Sequence, residues 1–226
     1  MKIIQLLLIL IVTSTAMAQH KIQPTVDVAG EGVVHVVPDE ATISVRVENT
    51  GSDTQELKRL NDATINEVLK FLKKIGIADK DVKTEYMNVN KNYDYNTKTY
   101  SFAANQSLSV KVRDLNSYEA IMKGLMDSGI NRVDGIRFSS SKKEILESQA
   151  RKKAIENAKM KAMEYAGVLN QTVGKAVSIS EFRNSNPQPM YKSAMMSMDA
   201  EAGGQQSISV GEMEVKTTVN VSFILN

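Results

Sequence analysis

Residues Ser141–Gly167, SKKEILESQARKKAIENAKMKAMEYAG, carry an alanine at every fourth position through most of their length. Inside the stretch there is no proline or glycine, and alanine, lysine, glutamate and methionine are strong helix formers. Ser141 and Glu144 fit a capping box at the start, and Gly167 is typical of a helix end. The sequence therefore predicts a long helix with a row of methyl groups along one side, formed by Ala150, Ala154, Ala158, Ala162 and Ala166.

The alanine row allows another backbone to approach the helix closely, and two explanations fit it. A period of four exceeds the helical repeat of about 3.6 residues, so the row winds slowly around the helix. This is expected where a helix crosses a twisted sheet or another helix within one domain. The alternative is a subunit interface, with Ala150, Ala154, Ala158 and Ala162 as its candidate residues.

The rest of the chain alternates strand and helix patterns. Residues 41–47 alternate between apolar and polar side chains, the pattern of a half-buried strand. Further helices are predicted over Ser52–Ile75 and Leu115–Ser128, and the whole order is β-β-α-β-β-α-β-α-β-β. This order favours the α+β class, with a mixed or mostly antiparallel sheet packed by three helices, of which Ser141–Gly167 is the longest.

Two short features near the start of the domain have structural explanations. Gly30 and Gly32 interrupt the first apolar run, which predicts a bulge or a close approach by another backbone. Pro38, Asp39 and Glu40 have the chemistry of a turn. Neighbouring carboxylates on an extended chain point apart, so we expect Asp39 and Glu40 to cap a turn rather than share a proton.

The N-terminus has the pattern of a signal peptide over residues 1–18. Lys2 supplies the positive charge, an apolar core follows, and Ala16-Met17-Ala18 is a small-x-small cleavage site. The apolar run is short for a membrane-spanning helix, which needs about 20 residues, although an uncleaved anchor is the alternative. We expect cleavage after Ala18, an α+β domain over 19–226, and a periplasmic or outer-membrane-associated location.

The composition limits the kinds of partner and the sources of stability. Lysine and arginine number 28 against 26 acidic residues, a formal net charge of +2, and this balance argues against a general nucleic-acid binder. There is no cysteine, so an exported chain of this kind has no disulfides and no lipid-anchored cysteine. Its stability must come from an ordinary apolar core.

The sequence offers no catalytic set. The two histidines, His20 and His35, are isolated, and we expect His35 to be structural because it lies among valines. No glycine-rich phosphate loop and no Gly-x-Ser-x-Gly motif is present. We therefore expect a protein that is not an enzyme, with no catalytic residues and no cofactor. A hydrolase with two facing carboxylates in a deep pocket is the enzymatic alternative.

A tyrosine cluster falls on a predicted hairpin tip. Tyr93, Tyr95 and Tyr100 lie in NKNYDYNTKTYS, between two predicted strands. Exposed tyrosines provide apolar area with a polar group, which suits contact with a sugar, a peptide or a second subunit. Cross-strand pairing that stiffens the hairpin is the structural alternative.

Two further segments invite functional interpretations. Residues 184–207 contain two prolines, a glycine pair and four methionines, and we expect a mobile loop there. Thioethers suit Cu(I), which makes Met195, Met196 and Met198 candidate metal ligands, and a contact with a partner surface is another alternative. The long helix also has a basic side, expected to be solvated, although a peripheral contact with anionic lipid head groups is an alternative.

Several short motifs occur in order along the chain. They are Gly30-x-Gly32, Pro38-Asp39-x-Ala41, Tyr93-Asp94-Tyr95 after Thr84, Ala104-Asn105-Gln106, Gly129-Ile130-Asn131, Ala150-Arg151-x-x-Ala154-x-x-x-Ala158-x-x-Lys161-Ala162 and Gly211. Together they span roughly residues 26–225, and their order and spacing resemble those of the SIMPL-domain family of exported bacterial proteins. The resemblance implies an α+β fold, a periplasmic or outer-membrane-associated place and assembly into large, channel-like rings, and one branch of the family is linked to oxidative stress. The family supplies no catalytic residues.

Two functional hypotheses follow from these patterns. The first is a non-enzymatic envelope protein that self-associates as a homo-oligomer, channel-like in form, and supports envelope integrity or oxidative-stress tolerance. The second is a periplasmic module that binds a ligand or Cu(I) through the methionine-rich loop or the tyrosine hairpin.

Overall fold

The order of elements agrees with the sequence prediction over the part of the chain that is described. The computed structural model describes residues 23–182 and 208–226, with the backbone alone at residue 182. The predicted signal peptide, residues 1–18, and the predicted methionine-rich loop, residues 184–207, lie outside the described residues. No helix within the described ranges has the length and apolar character needed to cross a membrane.

Seven strands and three helices make up the described regular structure, and the α+β prediction is confirmed. The strands are β1 Thr25–Val36, β2 Glu40–Gly51, β3 Val82–Asp94, β4 Thr99–Val112, β5 Arg132–Ser139, β6 Val173–Phe182 and β7 Met213–Leu225. The helices are α1 Thr54–Lys74, α2 Tyr118–Asp127 and α3 Lys143–Val168. Helix α3 is the longest, as predicted.

The strands form two sheets rather than the one sheet expected. One has the order β1-β7-β6 and the other the order β3-β4-β2-β5. Strand β1 pairs with the last strand of the chain, although β2 follows it directly. Strand patterning shows which face is buried but not which distant strand is the neighbour, so this division was not predictable.

The described residues divide into two compact units. The first holds residues 23–32, 150–182 and 217–226. Its apolar cluster brings Ala154, Ala158 and Ala162 of α3 against β1 and β7, where the packed residues are Val28, Val219, Val221 and Phe223. The alanine row is therefore the side of α3 that packs on the three-stranded sheet.

Glycines in β1 make this contact possible. A Cβ atom added to Gly30 would lie 2.0 Å from the carbonyl oxygen of Ala154, and one added to Gly32 would lie 1.9 Å from that of Ala150. Between them, the N–H of Glu31 donates to Oδ1 of Asn157 at 3.1 Å. Of the two alternatives predicted for Gly30 and Gly32, a bulge or a close approach by another backbone, the structure shows the close approach.

The second unit holds residues 33–149 and 208–216. Its core lies between the four-stranded sheet and helices α1 and α2. The fully buried side chains there include Ile43, Val45 and Val47 of β2, Leu108, Val110 and Val112 of β4, Val68 and Leu72 of α1, and Ile121 and Leu125 of α2. Helices α1 and α2 touch closely, since a Cβ on Gly124 would lie 1.9 Å from the ring of Phe71.

Asp39 binds Ser141, two residues before α3 begins. Its two carboxylate oxygens accept from the N–H of Ser141 at 2.7 Å and from the Ser141 hydroxyl at 2.6 Å. These hydrogen bonds hold the pKa of Asp39 below its usual value, with the side-chain bond to Ser141 as the largest cause. A structural role for Asp39 was expected, but its partner 102 residues away was not.

Candidate functional site

The candidate site is the hairpin of β3 and β4. The strands pair antiparallel from Val82 opposite Val110 to Asp94 opposite Thr99. On its other side, β4 pairs with β2 only as far as Phe102, which lies opposite Gly51. Residues 92–101 of the hairpin therefore extend beyond the end of β2.

The turn at the tip is fixed by Asp94. Its Oδ1 accepts from the N–H groups of Asn96 at 2.8 Å and Thr97 at 3.3 Å. These backbone hydrogen bonds lower the pKa of Asp94. Lys98 completes the turn in the left-handed region, with φ of 53°. The tip thus has a defined conformation that positions the tyrosines next to it.

The three predicted tyrosines come together at this tip. Tyr93 lies directly opposite Tyr100, with ring centroids 4.8 Å apart, and Tyr95 meets Tyr93 edge-on at 5.0 Å. The ammonium group of Lys91 lies 4.0 Å from the centre of the Tyr100 ring. The cross-strand pairing considered from the sequence is therefore present.

The tyrosine rings nevertheless remain open to solvent. The exposed fractions are 41% for Tyr93, 84% for Tyr95 and 58% for Tyr100. The same face of β3 also carries Met87 and Val89, opposite Gln106 and Ala104, and both are exposed. This apolar strip along an edge strand is a surface with the chemistry of a contact site.

The alanine candidates occupy a different environment. Ala150, Ala154, Ala158 and Ala162 are fully buried within the chain. Their neighbours are the backbone of β1 and the side chains of β7, so the row corresponds to the close packing within one chain. No methyl group of these four residues is accessible within one chain, and the subunit-interface alternative stays a prediction.

The candidate metal ligands Met195, Met196 and Met198 lie outside the described residues, so the Cu(I) hypothesis stays a prediction. Within residues 23–182 and 208–226, no group of three or more histidines, cysteines or acidic residues is placed to hold a metal ion. His35 is exposed, with its Nδ1 at 3.9 Å from a carboxylate oxygen of Glu212.

An ion-pair cluster at the end of the four-stranded sheet was not expected. Arg113 donates to both carboxylate oxygens of Asp81, at 2.8 and 2.7 Å, and to Glu40 at 3.1 Å. Lys111 lies 2.8 Å from the other Glu40 oxygen. Arg113 lowers the pKa of Asp81, which keeps this buried carboxylate ionised and poorly suited to donate a proton near neutral pH.

Sequence reasoning missed this cluster because its members are far apart in the chain. Asp81 and Arg113 were not singled out, and Glu40 was considered only as a turn residue. Antiparallel pairing of β4 with both β2 and β3 brings the three strand ends together. A charged residue at each predicted strand end was the available signal.

The match to known families covers most of the described structure. The family model named SIMPL, a protein of unknown function (DUF541), matches residues 26–223. The chain belongs to the SIMPL family. The resemblance drawn from the short motifs is confirmed, and two of them now have structural explanations, Gly30-x-Gly32 in its contact with α3 and Asp39 in its bonds to Ser141.

Curated relatives of this SIMPL chain cover nearly its whole length. The 26 kDa periplasmic immunogenic protein of Brucella melitensis is 29% identical over 216 residues, 91% of this chain and 86% of that protein. The protein called uncharacterized protein YggE of Escherichia coli K12 is 26% identical over 206 residues, 89% and 83% of the two chains. YggE of Edwardsiella ictaluri is 26% identical over 210 residues. None of these names describes an enzymatic reaction.

Proposed function

We propose that this SIMPL chain is a non-enzymatic periplasmic protein that self-associates through the β3–β4 hairpin. The observation that carries the proposal is the exposed tyrosine cluster on a hairpin that extends beyond its sheet. Its three rings are held by a fixed turn, so little side-chain entropy is lost when a second copy covers them. The periplasmic place is supported by the name of the Brucella relative.

Simple energetics indicate that the tip acts together with a larger surface. Covering about 300 Å² of tyrosine surface at about 25 cal/mol per Å² provides about 7 kcal/mol. Association costs about 4–15 kcal/mol in lost translational and rotational freedom. The tyrosines alone are therefore marginal, and stable assembly requires further contacts along the same hairpin.

Light scattering coupled to size-exclusion chromatography tests self-association. The protein Gln19–Asn226 at tens of micromolar should have a mass above that of one chain. The variant Tyr93→Ser/Tyr95→Ser/Tyr100→Ser should shift toward the monomer. Tyr165→Ser is the matched control, because Tyr165 has an exposure similar to that of Tyr100 but lies on α3. A wild-type monomer at these concentrations would overturn the proposal.

The proposed assembly is channel-like and supports envelope integrity or oxidative-stress tolerance. This part of the proposal rests on the family resemblance. Conductance of planar bilayers exposed to the purified assembly tests the channel form. Survival of a deletion strain under detergent and peroxide, complemented with wild type or with the triple tyrosine variant, tests the physiological role. If wild type and the triple variant restore survival equally, the physiological role does not depend on self-association through the tyrosines.

A further inference from the structure

Strand β3 presents an unpaired edge along most of its length. It has β4 on one side and, among the described residues, no strand on the other. Its residues from Lys83 to Asp94 are all exposed. An open strand edge can pair with another extended chain, because its free N–H and C=O groups still need partners.

We propose that two copies of the chain pair antiparallel through β3, with the Asn88 residues of the two copies directly opposite each other across the two-fold axis. The inference rests on the proposed self-association and specifies its surface. The pairing joins two four-stranded sheets into one continuous sheet of eight strands. A two-fold contact of this kind joins two copies, since each copy uses the same surface, and a channel-like ring requires a second contact between such pairs.

Geometry limits the registers that a two-fold pair can adopt. Directly opposite residues in an antiparallel pair point to the same face of the sheet. Residues of the same face alternate along the strand, so the central residue of a two-fold pair must lie opposite the same residue of the other copy, with the axis midway between them. Each candidate register is then defined by this central residue.

The register centred on Asn88 is favoured by the side chains of β3 itself. It places Glu85 opposite Lys91 of the other copy, and Met87 opposite Val89, with each pair formed twice. Opposite charges and apolar pairs directly across a ladder both stabilise it. Centring on Met87 would place Glu85 opposite Val89, and centring on Asn90 would place Val89 opposite Lys91. Both alternatives put a charge against an apolar side chain.

The bulge in β3 fits the length of this ladder. The pairing of β3 with β4 is regular from Tyr86 to Asp94 and shifts between Thr84 and Tyr86, so Glu85 is the extra residue. The regular pairing between copies would run over residues 86–90, with the Glu85 and Lys91 pairs at its two ends. The bulge thus ends the pairing between the two copies at the same position as the Glu85–Lys91 pairs.

The same register gives the tyrosine tip a place to bind. Tyr93 of one copy would lie just beyond the end of the ladder, near Val82 and Thr84 of the other copy. There, a cleft of about 420 Å³ lies between α1 and the start of β3, with a partly apolar lining that includes Leu69, Leu72, Ile77 and Val82. We expect the exposed phenol rings to enter this cleft, so that the strand edge and the tip contribute to one contact.

Single cysteines test the register directly, because the natural chain has none. With the two Asn88 residues directly opposite each other, the two Cα atoms of Asn88→Cys lie roughly 4.5–5.5 Å apart, within disulfide range. Asn90→Cys is the matched control on the same face of the same strand. Its two copies would be about 14 Å apart, four residue positions along the ladder. Mild oxidation of Gln19–Asn226 followed by non-reducing electrophoresis should give a cross-linked dimer for Asn88→Cys and not for Asn90→Cys.

The other outcomes are separable. Equal cross-linking of both variants, or cross-linking of Asn90→Cys alone, would overturn the register. An assembled protein in which neither variant cross-links would overturn the β3 contact and leave self-association intact. A monomeric wild type in light scattering would remove both proposals.

Charge exchange provides an independent test that needs no cross-link. Glu85→Lys places two lysines opposite each other at both ends of the ladder, and we expect the dissociation constant to rise about tenfold. The double variant Glu85→Lys/Lys91→Glu restores both pairs and should return to within about threefold of wild type. Sedimentation velocity measures these constants. A double variant as weak as Glu85→Lys alone would overturn the pairing of Glu85 with Lys91.

Discussion

Gly32 of β1 lies directly against Ala150 of α3, with room for a hydrogen atom and none for a methyl group. A Cβ at position 32 would lie 1.9 Å from the Ala150 carbonyl oxygen and 2.5 Å from the Ala154 nitrogen. Both obstacles are backbone atoms, which cannot rotate away as a flexible side chain can. The alanine row and the glycine pair are therefore two sides of one contact.

Gly32→Ala should destabilise the fold strongly. The added methyl group forces strand and helix apart, and we expect a loss of about 3 kcal/mol or more in the free energy of unfolding. Urea unfolding followed by circular dichroism measures the loss. Gly167→Ala is the control, since a Cβ there meets nothing within 4 Å. It should be neutral or stabilising by up to about 1 kcal/mol because it removes a helical glycine. Similar stabilities for the two variants would contradict the contact.

Ala158→Leu tests the same contact from the helix side. Ala158 is fully buried, and the larger side chain should cost about 1–3 kcal/mol through overpacking. Lys159→Leu, at the next and exposed position, controls for the change in helix composition. The thermal unfolding midpoints of both variants test this contact. An unchanged midpoint for Ala158→Leu would mean that this side of the helix has room for a larger side chain.

Asp39 should make stability depend on pH. The hydrogen bonds from Ser141 depress the pKa of Asp39 in the folded state, so their contribution is present above the unfolded pKa of about 3.9. It is lost as the pH falls through the folded-state pKa. Because Asp39 is exposed and solvent screens its charge, we expect Asp39→Asn to be less stable than wild type by only about 0.5 kcal/mol at pH 7, with the difference closing below about pH 4.

Ser141→Ala provides the check on the cause of that shift. Removing the hydroxyl takes away the largest contribution to the low pKa of Asp39, so the pKa measured by NMR should rise toward its usual value. A stability difference between Asp39→Asn and wild type that stays constant from pH 7 to pH 3 would rule out this role for the carboxylate.

Arg113→Met should loosen the end of the four-stranded sheet. It leaves the buried Asp81 carboxylate without its two hydrogen bonds and Glu40 with Lys111 alone. We expect a lower urea midpoint at pH 7 and a higher Asp81 pKa. Adding Asp81→Asn should recover part of the loss, because no ionised group then stays unpaired. If the double variant has the same urea midpoint as Arg113→Met, the aliphatic part of Arg113, rather than its charge, stabilises this end of the sheet.

The features predicted well from the sequence are those encoded locally. The helix bounds, the order of elements and the burial of Ala150 to Ala162 follow from periodicity within short windows. The contact at Gly30 and Gly32 was one of two predicted alternatives, because glycines in an apolar strand mark either a bulge or a close approach by another backbone. The partner of these glycines, helix α3, was not predicted, since nothing in the sequence of β1 or α3 identifies the other segment.

The features that escaped prediction depend on distant pairing. Strand β1 lies beside β7, and Arg113 meets residues 32 and 73 positions earlier in the chain. Alternation marks a strand as half-buried but carries no information about its neighbour. The tyrosine cluster was predicted in part. The hairpin pattern placed the tyrosines at a tip, but only the structure shows the register in which Tyr93 lies opposite Tyr100.

The seam of glycines and alanines between β1 and α3 also affects how the protein unfolds. None of these residues has a side-chain torsion to immobilise, so the seam forms without loss of rotamer entropy. Its attraction is short-ranged dispersion, and a gap of about 0.5–1 Å already removes a quarter to a half of it. We therefore expect β1 and α3 to separate in one cooperative step, with the amide hydrogens of β1 exchanging through global opening rather than gradual fraying.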